Sequence, residues 1–149
     1  MCKQRAILCD IDMTVLDTSE IMKICELTAD SSDWQCFYDY LENQKEMTWC
    51  VDILKRMNMP IIFLTGRNER CRAKTVSALD KFGLDYILVM RDENDFSSDS
   101  EMKENRLKEL VNDYDFVFAI DDKDANCVVF HKYGIPTLQV YYPENERVK

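Results

Sequence analysis

The sequence predicts a single α/β domain in which helices cover both faces of a parallel sheet of about five strands. Three observations lead there. Five short apolar runs, spread along the chain, are too continuous to be strands with one wet face. Between them, longer stretches repeat apolar residues at helical spacing. Only three glycines and three prolines interrupt the 149 residues, so the breaks that do occur are informative. Strands buried on both faces and alternating with helices are the mark of a parallel sheet.

Taken in order, the strands are expected at Arg5 to Cys9 (RAILC), Pro60 to Leu64 (PIIFL), Tyr86 to Met90 (YILVM), Phe116 to Ile120 (FVFAI) and Thr137 to Tyr141 (TLQVY). Helical spacing links Val51, Leu54 and Met57, then Val76, Leu79 and Phe82, with Gly83 as the stop. Leu107, Leu110 and Val111 mark a third face; Cys127, Val128 and Phe130 mark a fourth, ending near Gly134. Residues 17–50 do not follow the alternation and read as a small cap-like insertion. About half of it is helical, from Ser19 to Thr28 with Ile21, Ile24 and Leu27 on one face. With no repeat and no linker, residues 1–149 form one domain.

Composition removes several function classes. The chain carries 28 acidic and 19 basic residues, a net charge of −9, which argues against gripping nucleic acid by bulk charge. No apolar run approaches the ~20 residues of a membrane span, and the N-terminus lacks a signal-peptide pattern. The seven cysteines are odd in number and contain no CxxC pair. That predicts reduced thiols in a cytoplasmic protein, not a disulfide scaffold or a zinc site. Cys9, Cys50 and Cys127 fall within apolar patterns and read as core residues; Cys71 has arginine neighbours that would lower its pKa. His131, the single histidine, lies far from the polar motifs in sequence.

In parallel α/β sheets, ligands bind where strands end. The first strand runs into Asp10-Ile11-Asp12-Met13-Thr14, the second into Thr65-Gly66-Arg67, and the fourth into Asp121-Asp122; Lys103 opens the helix before the fourth strand. Each motif alone has a plain structural reading: a surface turn, a chain reversal, a helix cap, a solvated lysine. Together they converge on one edge of the sheet. Four carboxylates brought together repel unless a hard cation neutralises them, and Mg²⁺ is the natural candidate. A carboxylate beside that cation can attack phosphorus and form an aspartyl-phosphate. A second one can protonate the leaving oxygen, while a hydroxyl and a lysine hold the phosphoryl oxygens.

These residues resemble the four motifs of the haloacid dehalogenase-like (HAD) phosphatase superfamily: DIDMT, IIFLTGR, Lys103 and FVFAIDD. A narrower resemblance, carried by DWQCF, FLTGRNERCRAKT and YILVMRDENDFSSDSEMKENRLKEL, is to the 3′-phosphatase domain of bacteriophage polynucleotide kinase. The resemblance implies a Rossmann-like HAD fold with a minimal cap. It implies Asp10 as nucleophile and Asp12 as general acid/base that also lends its carbonyl to the metal. Thr65 and Lys103 would complete the catalytic set, and Asp121 and Asp122 the Mg²⁺ site. Thr14 would shape the first loop, and Gly66, Arg67 and Arg91 would line the substrate side. Met13 stands where many members carry glycine.

The insertion is too short for a full lid, so the site is expected to be open. An open site suits a phosphorylated nucleic-acid end or a nucleotide better than a small sugar phosphate. The aromatics Trp34, Phe37, Tyr38, Tyr40 and Trp49 would pack the insertion or stack on bases, and Arg67, Arg70, Arg72 and Lys74 would form a local basic rim. No GxxxxGK[ST] segment is present, so any kinase activity would come from a separate polypeptide. The reading is thus a Mg²⁺-dependent phosphomonoesterase acting on 3′ ends. The alternatives are a nucleotidase or small-molecule phosphatase, and a non-catalytic binding module that retains the fold. The sequence carries no signature of oligomeric state.

Overall fold

A computed structural model describes residues 2–28 and 34–142. Five parallel strands form the main sheet in the order β5-β4-β1-β6-β7: β1 (Gln4–Cys9), β4 (Ile61–Asn68), β5 (Tyr86–Arg91), β6 (Tyr114–Asp121) and β7 (Thr137–Gln139). The apolar runs are continuous because alternate residues serve two cores. Ile7 and Cys9 of β1, with Ile61 and Phe63 of β4, face one core; Ala6 and Leu8, with Ile62 and Leu64, face the other. The first core is closed by α3 (Thr48–Met57) and by Leu79 of α4 (Arg72–Asp80); the second is closed by α5 (Asp99–Leu110) and α6 (Asp124–Lys132).

The expected strands all form; β4 and β6 are longer than the apolar runs by three residues each, β1 and β5 by one, and β7 is shorter by two. β4 continues through Thr65-Gly66-Arg67 to Asn68, so the second motif is part of the strand and not of the loop after it. Gly83 and Gly134 follow α4 and α6 with φ of +67° and +73°, the left-handed geometry that ends a helix without steric cost. Val128 and Met57 differ from expectation, being exposed to 68% and 38% although they share a helical pattern with core residues.

The insertion is built from α1 (Ser19–Ile24), α2 (Gln35–Asp39), a 3₁₀ turn at Leu41–Asn43, and a two-stranded antiparallel ribbon. That ribbon pairs β2 (Leu16–Asp17) with β3 (Lys45–Glu46). The α1 helix stops four residues earlier than the sequence pattern suggests, and Ile24 is exposed while Ile21 and Leu27 are buried. Asp33, the first residue of the DWQCF stretch, lies outside the described residues. A disulfide joins Cys25 to Cys36 across the insertion. This corrects the expectation that every thiol is free: spacing along the chain says nothing of two cysteines brought together by a fold-back. Cys2, Cys9, Cys50, Cys71 and Cys127 are free. No helix among the described residues is long and apolar enough to cross a membrane.

Candidate active site

The site is assembled on the carboxyl edge of the sheet by its central strands. Asp10 directly follows β1, and its N–H still donates to Ile120 O of β6 at 2.9 Å, which fixes the backbone beside Asp121. The chain then turns tightly, with the N–H groups of Thr14, Val15 and Leu16 all donating to Ile11 O. Met13 sits in this turn at φ +62°, a conformation that disfavours a side chain. A glycine would adopt this conformation without that cost. Thr14, fully buried, donates from Oγ1 to Asp10 Oδ2 at 3.2 Å.

Lys103 reaches the edge from the second turn of α5, because the helix begins at Asp99. Its ammonium is fully buried and donates to Asp10 Oδ1 at 2.8 Å and to Asp121 Oδ2 at 2.7 Å. Burial would push this ammonium down, but Asp10, Asp121 and Asp99 outweigh burial and hold it well above the usual lysine range. Burial, then the negative charge of Asp121, push the Asp10 carboxyl well above its ordinary value, with Lys103 opposing. The same causes, burial and then Asp121, raise Asp122 to about 7. Two carboxyls held above their ordinary range in one place are starved of positive charge.

Asp10, Asp121 and Asp122 each offer an oxygen within 4.8 Å of the others. The two residues of the Asp-Asp pair are not equivalent. Asp121 accepts from Lys103, from Asn126 Nδ2 and from the Lys123 N–H. Asp122 Oδ1 is buried with no hydrogen-bond partner among the described residues. An orphaned carboxylate oxygen beside two further carboxylates is a donor set that suits a hard divalent cation.

Asp12 does not join that cluster. Its carboxylate is gripped by Arg67, whose Nη2 and Nε donate at 2.8 and 3.1 Å. The Arg67 side chain is 1% exposed and that of Asp12 31%. Arg67 also donates to Thr75 Oγ1 at 3.1 Å and Gln44 Oε1 at 2.8 Å, and its Cζ lies 5.8 Å from the Phe37 ring centroid. Thr65, fully buried, accepts the Arg67 N–H at 3.1 Å.

The model of the polynucleotide kinase PNKP phosphatase domain matches residues 4–144. The chain belongs to that family. It is a HAD-type phosphatase. Its fold is similar to part of one chain in the structure of the Pnkp1/Rnl/Hen1 RNA repair complex, with TM-score 0.75 and 24% identity over 95% of this chain and 44% of that one. It is similar too to the class C acid phosphatase from Bacillus anthracis, with TM-score 0.64 and 20% identity over 83% of this chain and 53% of that one. A predicted phosphatase from Clostridium acetobutylicum shares the fold at TM-score 0.62 and 12% identity, over 93% of this chain and 85% of that one. The phosphatase thus spans about half the length of the first two. No curated protein matches it.

The HAD phosphatase site also holds residues that the motifs do not announce. Asp99, four residues before Lys103 on the same helix, lies 3.9 Å from Lys103 Nζ and accepts from Asn126 Nδ2 at 2.9 Å. Burial would raise its carboxyl, but Lys103, Lys123, Asn126 and Arg91 bring it down to about 2. Asp99 crowds Gly66 so closely that a Cβ there would collide with its Oδ1, so the glycine of the second motif is a matter of close approach. The i, i+4 spacing of Asp99 and Lys103 was the available sequence signal; Asn126 and Gln44 had none.

Other expectations shift. Arg91 is occupied by the chain itself, donating to Gly66 O at 3.0 Å and to Ser97 O and Asp95 O at 2.7 and 3.3 Å. The basic rim is thinner than its residue types suggest. Arg67 is buried, Arg72 pairs with Glu69 at 2.7 Å, and Lys74 donates to Tyr38 O at 3.0 Å. Of the aromatics, Phe37 is buried and Tyr38 accepts the Asn68 N–H, while Tyr40 and Trp49 are exposed. Burial lifts the Cys71 thiol above its usual value despite Arg67, so its arginine neighbours do not activate it. His131 is exposed in the last turn of α6.

Proposed function

We propose that this phosphatase is a Mg²⁺-dependent phosphomonoesterase that works through an aspartyl-phosphate on Asp10 and removes 3′-phosphates from nucleic-acid ends. The observation that carries the chemistry is the buried Lys103 ammonium bridging Asp10 and Asp121 beside the unpartnered Asp122 oxygen. The substrate class rests on the family match over residues 4–144.

In this reading the Asp10 carboxylate attacks phosphorus as the bond from phosphorus to the ester oxygen breaks. Lys103 opposes the burial that favours protonation of Asp10, and Thr14 orients that carboxylate. Thr65 spends its acceptor on the Arg67 N–H, which leaves its hydroxyl proton for a phosphoryl oxygen. Asp12, in its protonated form, gives that proton to the departing alkoxide and releases the alcohol. As a carboxylate it then takes a proton from water; the water oxygen attacks phosphorus, the bond to Asp10 breaks, and inorganic phosphate leaves. Asp10 and Asp122 would hold the cation, with the Asp12 carbonyl, and Asp121 would position Lys103 and Asn126 beside it. When bound, that cation supplies positive charge to the carboxylates and the transferring phosphoryl group.

The test compares kcat/KM with Mg²⁺ on an oligonucleotide carrying a 3′-phosphate, the same oligonucleotide carrying a 5′-phosphate, and a nucleoside monophosphate. Preference for the 3′-phosphorylated oligomer is expected. Equal or better turnover of the mononucleotide would replace the nucleic-acid reading with the nucleotidase one.

A further inference from the structure

The insertion contributes more than a wall to the site. Arg67 has its guanidinium plane set from three directions: Thr75 of α4, the Phe37 ring, and Gln44. Two of these supports belong to the insertion. The Gln44 contact is the most direct, because Arg67 Nη2 donates at 2.8 Å both to Asp12 Oδ1 and to Gln44 Oε1. One nitrogen therefore joins the catalytic turn to the insertion, and it is shielded from water.

Gln44 is itself held in register with that turn. It follows the 3₁₀ turn at Leu41–Asn43 in an extended conformation, ψ 146°, and directly precedes β3. The β3 strand pairs with β2, Glu46 opposite Leu16 and Lys45 opposite Asp17, and the Met47 N–H donates to Val15 O at 2.8 Å. The turn bearing Asp12 leads straight into β2, and an isolated bridge joins Asp12 to Leu16. The same short ribbon thus fixes where Asp12 leaves the backbone and where Gln44 meets Arg67.

We infer that Gln44 is a positioning residue for the proton donor: it orients the Arg67 guanidinium, and through it the Asp12 carboxylate, toward the leaving oxygen. A guanidinium grips a carboxylate with two parallel bonds only when its plane is correctly set. With Gln44 removed, one of the two Nη2 hydrogens loses its acceptor, and only Thr75 and the Phe37 ring still hold the plane against Asp12. The Asp12 carboxylate, 31% exposed, then samples orientations unsuited to proton transfer, while Asp10, Lys103, Asp121 and Asp122 are untouched.

The inference rests on Asp12 being the proton donor, and the experiment separates the two ideas. Gln44→Leu removes the acceptor at similar volume; Gln44→Glu keeps an acceptor oxygen. For each, kcat/KM is measured on an alkyl phosphomonoester, whose leaving group needs a proton, and on p-nitrophenyl phosphate, whose leaving group does not. Because kcat/KM covers only the steps through departure of the alcohol, later hydrolysis does not blur the result. Gln44→Leu is expected to lose about tenfold on the alkyl ester and less than about twofold on the aryl ester, and Gln44→Glu to recover most of the loss. Equal losses on both esters, or no loss on either, would overturn the inference. Asp12→Asn, run in parallel, must show the same selectivity for the alkyl ester in larger degree. If Asp12→Asn loses both esters equally, the proton-donor reading itself falls.

Discussion

Lys103 Nζ lies 2.8 Å from Asp10 Oδ1, and neither the ammonium nor its bond to the carboxylate is open to solvent. A buried ion pair of this kind adds little net stability over an apolar pair, but removing one partner leaves the other charge stranded. Lys103→Met is therefore expected to cost about 3 kcal/mol of stability in metal-free protein. On the proposed mechanism it should also reduce turnover by about 100-fold or more, since the positive charge beside Asp10 is gone. Denaturant unfolding and a phosphatase assay with Mg²⁺ check the two effects separately.

Asp10→Asn should keep the fold and lose the reaction. The amide oxygen still accepts from Lys103, and the change removes a carboxyl that burial and Asp121 hold out of its ordinary range. Stability within about 1 kcal/mol of the parent is expected, with turnover down by more than about 1,000-fold. Residual activity within about tenfold would exclude a covalent aspartyl-phosphate, because tenfold is only ~1.4 kcal/mol of barrier.

Asp122 makes metal-free stability depend on pH. Folded, it keeps its proton up to about pH 7; unfolded, it releases it near its ordinary 3.8. Between those values the folded state binds more protons, so stability falls as pH rises from about 4 to about 7 and levels off above. Asp10, raised by the same causes, slopes the same way. A bound cation favours the carboxylate form, so Mg²⁺ should raise Tm more at pH 8 than at about pH 5, reaching about 2.7 kcal/mol at 100 times Kd. Asp122→Asn should flatten the metal-free profile and weaken the Mg²⁺ response; thermal scans across this range with and without Mg²⁺ test both.

Gly66→Ala places a methyl group against Asp99 Oδ1. Asp99 is tied to Asn126 at 2.9 Å and lies 3.9 Å from Lys103, so it cannot retreat without disturbing the ammonium. A loss of about 1–3 kcal/mol is expected, with a fall in kcat larger than any rise in KM. Unchanged kinetics on p-nitrophenyl phosphate would show that Asp99 does not transmit the displacement to Lys103.

The sheet was legible in the sequence because its strands are buried on both faces, so Ile7 to Cys9 and Ile61 to Leu64 read as unbroken apolar runs. Motifs at strand ends were legible for the same reason: once the strands are located, Asp10, Thr65 and Asp121 share an edge. What escaped notice depends on approach between distant segments. Asp99 against Gly66, Gln44 against Arg67, and Cys25 against Cys36 are contacts between residues with no shared periodicity. The Arg67 residue type suggested a substrate contact; only the geometry revealed that its guanidinium is turned inward on Asp12.

The β2–β3 ribbon has a corollary for the choice of substrate. Asp10, Lys103, Asp121 and Asp122 are all placed by the main sheet and α5. Gln44 directly precedes β3, in the insertion, beside Arg67. On the proposed mechanism, a change confined to Gln44 would retune the alignment of the proton donor for one alcohol or another and leave Asp10, Lys103, Asp121 and Asp122 as they are, whereas Phe37 and Leu41 are bound to the core they share with the sheet.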